Sequence, residues 1–481
     1  MSAVFGAARK PASAFALALA ISGCATTDTG PINAFTPVVT QESKHFINDF
    51  GDDGSLIVGV SFSGGGVRAA AFAYGVLSEL DDAVIDEKPR RRAVTDSIRM
   101  ISGTSGGAVA AAYFGYRGPN KFQDFRERFL LEDAEARVRT AISPPNLIRA
   151  WNGGVNDRNG FSRWLDDNLF DGATFAHFNH DRAPRIWLTA SDIYNGVPFL
   201  FTHDTFAALC SDLDQIRIAD AVAASAAFPV VFAPLDVAAD GPDCGYTKPD
   251  WLKRALDDPR ASLRLKAHAK ALASYRDNDR LATVRLLDGG LTDNIGVTGF
   301  ALERASADTF GPLTPEQAVK LKKLLFIVTD AGQEPAPEWS MRSRGPNLPE
   351  LIPALSHTAI TSSVRKGFDA LAMAVREWQQ EIIRFRCTLS TEQVRRLRGT
   401  AARWDCRDVN ITVELLSFRD LDPQLKRALN RVPTRLVLPE KQVNLVIAAG
   451  RRTVRENPAI RSAVANIRRS ADVRGSPWPA P

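Results

Sequence analysis

The chain has 481 residues, of which 45% are apolar and 24% are charged, a composition that excludes a disordered protein. This length accommodates one large α/β domain with extensions, or two domains. The formal net charge is only +5 and the sequence has no run of like charges typical of a nucleic-acid tail, so we expect no nucleic-acid partner.

The first predicted element is an export signal. Two basic residues precede a short apolar stretch, residues 12–21, which is too short to cross a bilayer as a permanent helix. The stretch ends in Ile21-Ser22-Gly23-Cys24, which resembles the lipobox of bacterial lipoproteins. We therefore predict a signal peptide over residues 1–23, lipidation of Cys24, and a tether over residues 24–50. The alternative is an ordinary signal that happens to contain a cysteine.

The residue after Cys24 helps to predict in which membrane the protein is anchored. Ala25 stands there, whereas an aspartate would resemble the signal for retention in the inner membrane. The expected location is therefore the bacterial cell envelope, with a lipid anchor in the outer membrane and the protein on its periplasmic face.

The four remaining cysteines are expected to be oxidised in an exported protein. They allow three connectivities, and we predict the nearest-neighbour pairing, Cys210–Cys244 and Cys387–Cys406. None has the C-x-x-C spacing of a zinc or redox site, so we predict no metal and no cofactor.

Glycine-rich segments follow the first two predicted strands. The apolar run at residues 56–60 ends in Ser63-Gly64-Gly65-Gly66-Val67-Arg68, and a predicted helix follows at residues 69–80. The strand at residues 99–101 is followed by Gly103-Thr104-Ser105-Gly106-Gly107 and a helix of small residues. Two strand–glycine–helix units in succession favour a parallel sheet with crossover helices.

The later elements continue the α/β pattern, with a polar, helical insertion or flap at residues 236–280. The catalytic domain is predicted over residues 51–335, and a helical C-terminal extension over residues 336–481 is expected to pack on it. The basic excess after Leu421 indicates either a solvated helix face or attraction to anionic lipid headgroups. Further strands are predicted at residues 186–190, 198–202, 284–287, 324–328 and 409–418, and helices at residues 220–227 and 361–383.

Ser105 is the candidate nucleophile, because it stands in G-x-S-x-G. This spacing is typical of a serine on a sharp strand-to-helix turn, with its hydroxyl exposed. Gly103 and Gly107 permit the tight turn and the close packing of helix on strand. The motif alone also arises by chance in a chain rich in Gly and Ser.

Asp288, in Asp288-Gly289-Gly290, is the candidate base. A serine hydroxyl needs a base within hydrogen-bond reach, and burial would raise the basicity of a carboxylate. Asp293 in the same loop is the rival carboxylate, and a plain turn after a strand is the structural alternative. A Ser–Asp–His triad would require His357, which lies in a segment with no catalytic signature.

The main-chain N–H groups of Gly64, Gly65 and Gly66 are the candidate oxyanion hole, since glycines leave such donors open to close approach. A phosphate-binding loop or a structural turn are the alternatives. Neither G-x-G-x-x-G nor a G-K-[ST] ending is present, which argues against the phosphate loop. Arg68 either orients this loop or contacts a lipid phosphate, and we favour the orienting role.

These three segments, in this order, resemble the patatin-like phospholipase family. The resemblance implies a three-layer α/β/α fold with a mainly parallel central sheet and a Ser105–Asp288 dyad. It also implies an oxyanion motif at Gly64–Gly66 with Arg68. Residues 189–192 and 224–229 also look like blocks of this family.

The predicted function is therefore hydrolysis of acyl esters in lipids, of the phospholipase A or lysophospholipase type, through an acyl-enzyme. The expected partners are a membrane phospholipid or other acyl lipid as substrate and the membrane that holds Cys24. Two alternatives stay open: a tethered, non-catalytic binding lipoprotein, and an esterase or thioesterase acting on soluble substrates.

Overall fold

The computed structural model describes residues 30–37, 46–86, 91–135, 156, 160–229, 231–239, 241–277, 281–307, 311–334 and 338–475. The predicted signal peptide, Cys24 and most of the predicted tether lie outside the described residues.

The middle layer is one mixed, eight-stranded sheet, accompanied by a separate two-stranded hairpin. The described strands are β1 (Leu56–Phe62), β2 (Val84–Asp86), β3 (Arg92–Ala93), β4 (Ile98–Thr104), β5 (Arg185–Asp192), β6 (Val197–Leu200), β7 (Leu235–Ala238), β8 (Thr283–Leu287), β9 (Lys323–Asp330) and β10 (Asn410–Ser417). The order in the large sheet is β10-β9-β1-β4-β5-β8-β7, and β6 pairs with β5. The hairpin is β2 with β3.

The sheet is parallel from β10 to β5 and antiparallel beyond it. The pairs β10–β9, β9–β1, β1–β4 and β4–β5 are parallel, whereas β5–β8, β8–β7 and β5–β6 are antiparallel. β1 and β4 are buried along their whole length, as expected of parallel strands that are covered on both faces. Their carboxyl ends lie at one edge of the sheet, where α/β proteins place their sites.

Helices cover both faces of this sheet. The α-helices are α1 (Gly66–Asp82), α2 (Gly106–Arg117), α3 (Gly160–Leu165), α4 (His203–Ala208), α5 (Ile218–Ser225), α6 (Asp250–Asp257), α7 (Leu263–Ser274), α8 (Gly290–Asp293), α9 (Thr298–Ser306), α10 (Pro315–Lys320), α11 (Leu348–Thr388), α12 (Thr391–Arg398), α13 (Pro423–Leu429), α14 (Glu440–Glu456) and α15 (Pro458–Gly475).

The alternation of β9 shows how the three layers form. Leu325 and Ile327 join the core under α1, α2, α5 and α14, whereas Leu324, Phe326 and Val328 join the core under α9 and α11. Successive side chains of a strand point to opposite faces, so one strand supplies both cores. The predicted three-layer α/β/α fold with a mainly parallel sheet is confirmed.

The C-terminal segment completes this architecture. β10 extends the sheet beside β9, α14 packs against α1, and α11 covers the second face. Helix α11 is longer than the predicted 361–383, because it begins at an N-cap on Asn347, whose side chain accepts from the N–H of Glu350.

The structure has two disulfides, Cys210–Cys244 and Cys387–Cys406, in the pairing that the sequence predicts. The second joins the end of α11 to the loop that leads into β10. Across the described residues, no helix is both long and apolar enough to cross a membrane.

The segment at residues 236–280 contains β7, α6 and α7. Trp251 and Leu252, the apolar residues on which a surface-seeking flap would depend, are buried, and the indole N–H of Trp251 donates to Asp204 at 3.0 Å. In this conformation they pack into the protein, so they do not present an apolar surface to a membrane.

Candidate active site

Ser105 lies on the turn between β4 and α2. Its backbone has φ 53° and ψ −124°, a left-handed conformation that a serine adopts only when its surroundings hold it there. Its N–H donates to the hydroxyl of Ser225 at 2.8 Å, and that hydroxyl donates to the carbonyl of Thr189 at 2.6 Å. The side chain of Ser225, from α5, therefore ties the turn to β5.

The glycines of this turn are required by close backbone approach. A Cβ on Gly107 would lie 2.4 Å from the carbonyl oxygen of Phe62, and one on Gly103 would lie 2.3 Å from the carbonyl oxygen of Gly107. Since real Cβ atoms do not approach this closely, only glycine lets α2 start directly against β1 and β4. Both glycines therefore have the packing role that the motif predicts.

Asp288 lies directly after β8 and beside Ser105. Its carboxylate accepts a hydrogen bond from the N–H of Gly290 at 2.7 Å, and the Ser105 hydroxyl lies close enough to stabilise its charged form. The side chain is only 7% exposed and Ser105 only 8%. Burial raises the pKa of Asp288 to about 6, and these two donor groups oppose that rise. The carboxylate is therefore a stronger base than one in water.

The rival carboxylate, Asp293, has other partners. Its two oxygens accept from the N–H groups of Val297 and Thr298 at 3.2 and 2.7 Å, at the start of α9. No described contact joins it to Ser105. Asp293 stabilises the N-terminus of a helix, so of the two loop carboxylates only Asp288 is positioned to interact with the candidate nucleophile.

The glycine loop before α1 lies next to the nucleophile. A Cβ on Gly64 would lie 3.2 Å from that of Ser105, and Gly65 and Gly66 have φ of +139° and +61°, which favour glycine. The N–H of Gly64 donates to the carbonyl of Asn294 at 2.9 Å, so in this conformation it is already engaged, and its role as an oxyanion donor stays a prediction. No described residue accepts from the N–H of Gly65 or Gly66, which stand at the N-terminal, positive end of α1.

Arg68 holds this loop from inside. Its Nε donates to the carbonyl of Ala331 at 3.0 Å and its Nη1 to that of Val432 at 2.8 Å. The side chain is buried, and burial lowers its pKa to about 10, a value at which it stays charged at neutral pH. These contacts fit the orienting role that the sequence favours for Arg68.

A cavity of about 630 Å³ opens onto Ser105 and Asp288. This size lies within the range of small-molecule binding pockets. Its walls are partly apolar, with Phe228, Phe232, Ile360, Val364 and Leu436, and partly charged. More than half of the lining residues lie after residue 301, at the end of β9, in α11, just after β10 and just before α14.

His357 lines this cavity but bonds to neither member of the pair. Its Nε2 lies 3.4 Å from the carbonyl oxygen of Gln333. The geometry therefore gives no Ser–Asp–His triad among the described residues. Within the same part of the chain, no group of three or more His, Cys, Asp or Glu side chains is placed to hold a metal ion.

The model of the patatin-like phospholipase family matches residues 60–301, half of the chain, and this span contains the glycine loop, Ser105 and Asp288. The chain belongs to this family. Membership in it supports lipid acyl hydrolase activity in general. A search of curated proteins with this patatin-like phospholipase found no match.

Solved structures include distant neighbours of this patatin-like phospholipase. Human GIVD cytosolic phospholipase A2 is 13% identical with a TM-score of 0.41, and the match covers 92% of this chain and 69% of that one. VipD from Legionella pneumophila is 12% identical with a TM-score of 0.31, and the match covers 92% and 70%. At these scores neither similarity carries an argument about this chain.

Several residues of the site carry no signal in the sequence. Ser225 lies in a block that resembles the family, but only the structure shows that it bonds to the N–H of Ser105. Asn294 lines the cavity and accepts from Gly64 through its carbonyl. The cavity walls from the C-terminal half depend on contacts across hundreds of residues, which no local pattern encodes.

Proposed function

We propose that this patatin-like phospholipase hydrolyses acyl esters of lipids by a Ser105–Asp288 dyad. The observation that carries the proposal is the position of Ser105, on a strained strand-to-helix turn, beside a buried carboxylate whose pKa is raised to about 6. A base of that pKa is ionised at neutral pH and still basic enough to take the serine proton. Both groups open into the same large cavity.

In the acylation step, the carboxylate of Asp288 takes the hydroxyl proton as the Oγ atom of Ser105 attacks the ester carbonyl carbon. The carbonyl oxygen becomes an oxyanion, for which the free N–H groups of Gly65 and Gly66 are the available donors. Each such donor is worth about 3–4 kcal/mol when its geometry is right. Collapse of the tetrahedral intermediate breaks the ester C–O bond, and Asp288 returns the proton to the departing alcohol.

In the deacylation step, a water molecule replaces the alcohol. Asp288 takes one proton from this water as its oxygen attacks the acyl-serine carbonyl, and the same glycine donors hold the second oxyanion. The intermediate then releases a fatty acid and returns the proton to the Oγ atom of Ser105. One carboxylate thus acts as base and acid in both halves of the reaction.

The substrate class we propose is a membrane phospholipid or lysophospholipid. The apolar part of the cavity suits an acyl chain, because burying each methylene is worth about 0.8 kcal/mol. The expected lipidation of Cys24 would hold the site next to a bilayer of the cell envelope, so that substrate is captured from the membrane rather than from dilute solution.

The test is to measure acyl release from phospholipids, lysophospholipids and neutral esters by purified variants. We expect Ser105→Ala and Asp288→Asn each to lower kcat by at least about 10³-fold, because each removes an essential member of a unit that acts together. His357→Ala and Asp293→Asn should keep most of the activity of the folded enzyme. If His357→Ala lowered kcat as much as Ser105→Ala, a Ser–Asp–His triad would replace the dyad. If Asp293→Asn were folded but inactive, Asp293 would take the place of Asp288 as the base.

A further inference from the structure

The active-site cavity contains more positive charge than its own acids neutralise. Four arginines line it, and two of them have clear partners. Arg68 donates to two carbonyls and is buried, and Arg435 forms a two-bond ion pair with Glu135. The remaining two are Arg365 and Arg419.

Arg365 and Arg419 have exposed side chains, and no described residue forms an ion pair or a side-chain hydrogen bond with either guanidinium. The carboxylate of Asp330 is the acid that Arg419 influences electrostatically, but it is buried, shares the attraction of Arg68, and accepts from the N–H of Gly332. Two guanidinium groups therefore face the cavity with donors available.

The fold places both arginines near the reacting groups. Ser363, two residues before Arg365 on α11, accepts at 3.2 Å from the N–H of Asn294, in the loop that carries Asp288. Arg419 follows the end of β10, where Ser417 is in register with Asp330 of β9. That is the edge of the sheet at which the glycine loop and Ser105 also lie.

We infer that Arg365 and Arg419 form an anion subsite of this active site, which selects acyl esters that carry a phosphate group close to the scissile ester. The inference rests on the proposed function and adds a specificity that the dyad alone does not provide. Guanidinium groups bind phosphate oxygens through charge-assisted hydrogen bonds, and phosphate is the anion that lies a few bonds from an acyl ester in a glycerophospholipid. Both residues lie outside the span that the family model matches.

The test compares monohexanoyl glycerophosphate with monohexanoyl glycerol, both as dissolved monomers, so that no membrane surface contributes. We expect Arg365→Gln/Arg419→Gln to lower kcat/KM on the phosphate ester by about 100-fold, or about tenfold for each charge-assisted hydrogen bond, mainly through KM. Turnover of the neutral ester should stay within about twofold. Inorganic phosphate should inhibit the wild type competitively and the double variant far more weakly.

The matched control is Arg376→Gln/Arg427→Gln, which removes the same charge from exposed positions outside the cavity. Arg376 lies on the same helix as Arg365, about 16 Å further along it. The control should keep the preference for the phosphate ester. An equal loss on both esters in the Arg365→Gln/Arg419→Gln variant would overturn the subsite, because it would mean a structural defect.

Two further results would also overturn it. One is an unchanged preference on monomers combined with loss of binding to phosphatidylglycerol vesicles, which would make the arginines contacts for a bilayer surface. The other is equal turnover of both esters by the wild type. Neutral-ester turnover that depends on Ser105 would still support the proposed function in that case, so the two proposals fail separately.

Discussion

Asp288 and Asp293 lie in one loop, are both buried, and differ in what their oxygens accept. The carboxylate of Asp293 accepts two backbone N–H groups at a helix start. That of Asp288 accepts one backbone N–H and has the Ser105 hydroxyl beside it, which stabilises its charged form. Burial raises the pKa of both, to about 6 for Asp288. Two similar carboxylates therefore have different roles because their hydrogen-bond partners differ: Asp293 is structural and Asp288 is reactive.

The raised pKa of Asp288 predicts the pH dependence of the reaction. The base must be ionised, so kcat/KM should be level above pH 7 and fall by about tenfold per unit below about pH 6. The measurement is kcat/KM on a soluble neutral ester across this range, with circular dichroism to verify that the protein stays folded. A rate that stays level down to pH 4.5 in a folded enzyme would contradict the assignment of Asp288 as the base.

The same pKa predicts a stability effect of Asp288→Asn. Below about pH 4 the carboxyl is protonated in both the folded and the unfolded chain, so its ionisation has no effect on stability. Between about pH 4 and pH 6 the unfolded chain loses the proton first, so the wild type loses stability as the pH rises, by about 3 kcal/mol in total. The amide does not ionise, so its advantage in unfolding free energy should grow over this interval.

Urea unfolding of the wild type and Asp288→Asn at pH 4 and pH 7.5 measures this advantage. Ser105→Ala is the control, because it removes the nucleophile and leaves the carboxyl group in place. An advantage of Asp288→Asn that is the same at both pH values would mean that the carboxyl ionises in the folded protein as it does in water.

At the level of elements, α1 and α14 approach each other so closely that glycines form the contact. A Cβ on Gly75 would lie 2.2 Å from the carbonyl oxygen of Ile447, and one on Gly450 would lie 2.4 Å from that of Phe72. The contact matters for the site because α1 starts at the glycine loop. Packing of α14 on α1 therefore helps to hold the candidate oxyanion donors in place.

This contact reverses the usual effect of a glycine in a helix. Replacing a helical glycine by alanine normally stabilises a protein by about 1 kcal/mol. Gly450→Ala should instead destabilise by about 1–3 kcal/mol, since the added carbon meets a backbone oxygen that cannot move independently. Thermal unfolding measures the difference.

Gly367→Ala on α11 is the matched control, because its added Cβ would meet Ile295 at an ordinary 3.4 Å. It should stabilise by up to about 1 kcal/mol. The same sign for both variants would show that the α1–α14 contact relaxes easily.

Acidic side chains nearby neutralise the positive charges of three arginines on α14. Arg451 and Arg455 pair with Glu79 of α1, and Arg452 pairs with Asp422 and Glu456. Exposed pairs of this kind contribute about 0–1 kcal/mol each. The charge that the sequence shows after Leu421 thus belongs partly to a packed, paired helix face, which favours the solvated-face interpretation over binding to lipid headgroups.

At the scale of the whole molecule, the predictions that succeeded depend on local patterns. β1 and β9 read as largely apolar runs because both of their faces are buried, and the glycine motifs mark the turns after strands. β7 was not predicted because it lies at the start of the segment at residues 236–280, whose sequence is mainly polar and helical. The cavity could not be predicted from the sequence, because its walls come from segments separated by up to about 370 residues. Contacts at that separation leave no trace in a local sequence pattern.

The C-terminal half is therefore part of the enzyme rather than an appendage. It adds β10 to the sheet, accepts the hydrogen bond of Arg68 at Val432, and supplies Ile360 and Val364 to the cavity. The N-terminal segment contributes in a different way, because the anchor we propose at Cys24 would act on where the site is held rather than on its shape.

The anchor makes a prediction about the whole chain. If Cys24 is lipidated, several acyl chains should hold the protein stably on a bilayer, whereas a single chain would bind only marginally. Cys24→Ser should then leave the membrane fraction, keep its turnover of short, water-soluble esters, and lose most of its activity on phospholipid vesicles. The gain from tethering is one of effective concentration, since no contact in the cavity changes. Fractionation of cells and assays on both substrates measure it, with Ser22→Ala, a change two residues before the cysteine that leaves the thiol in place, as the control. Equal activity of the tethered and released forms on vesicles would mean that the anchor serves location alone, and loss of both activities would assign Cys24 to export or folding.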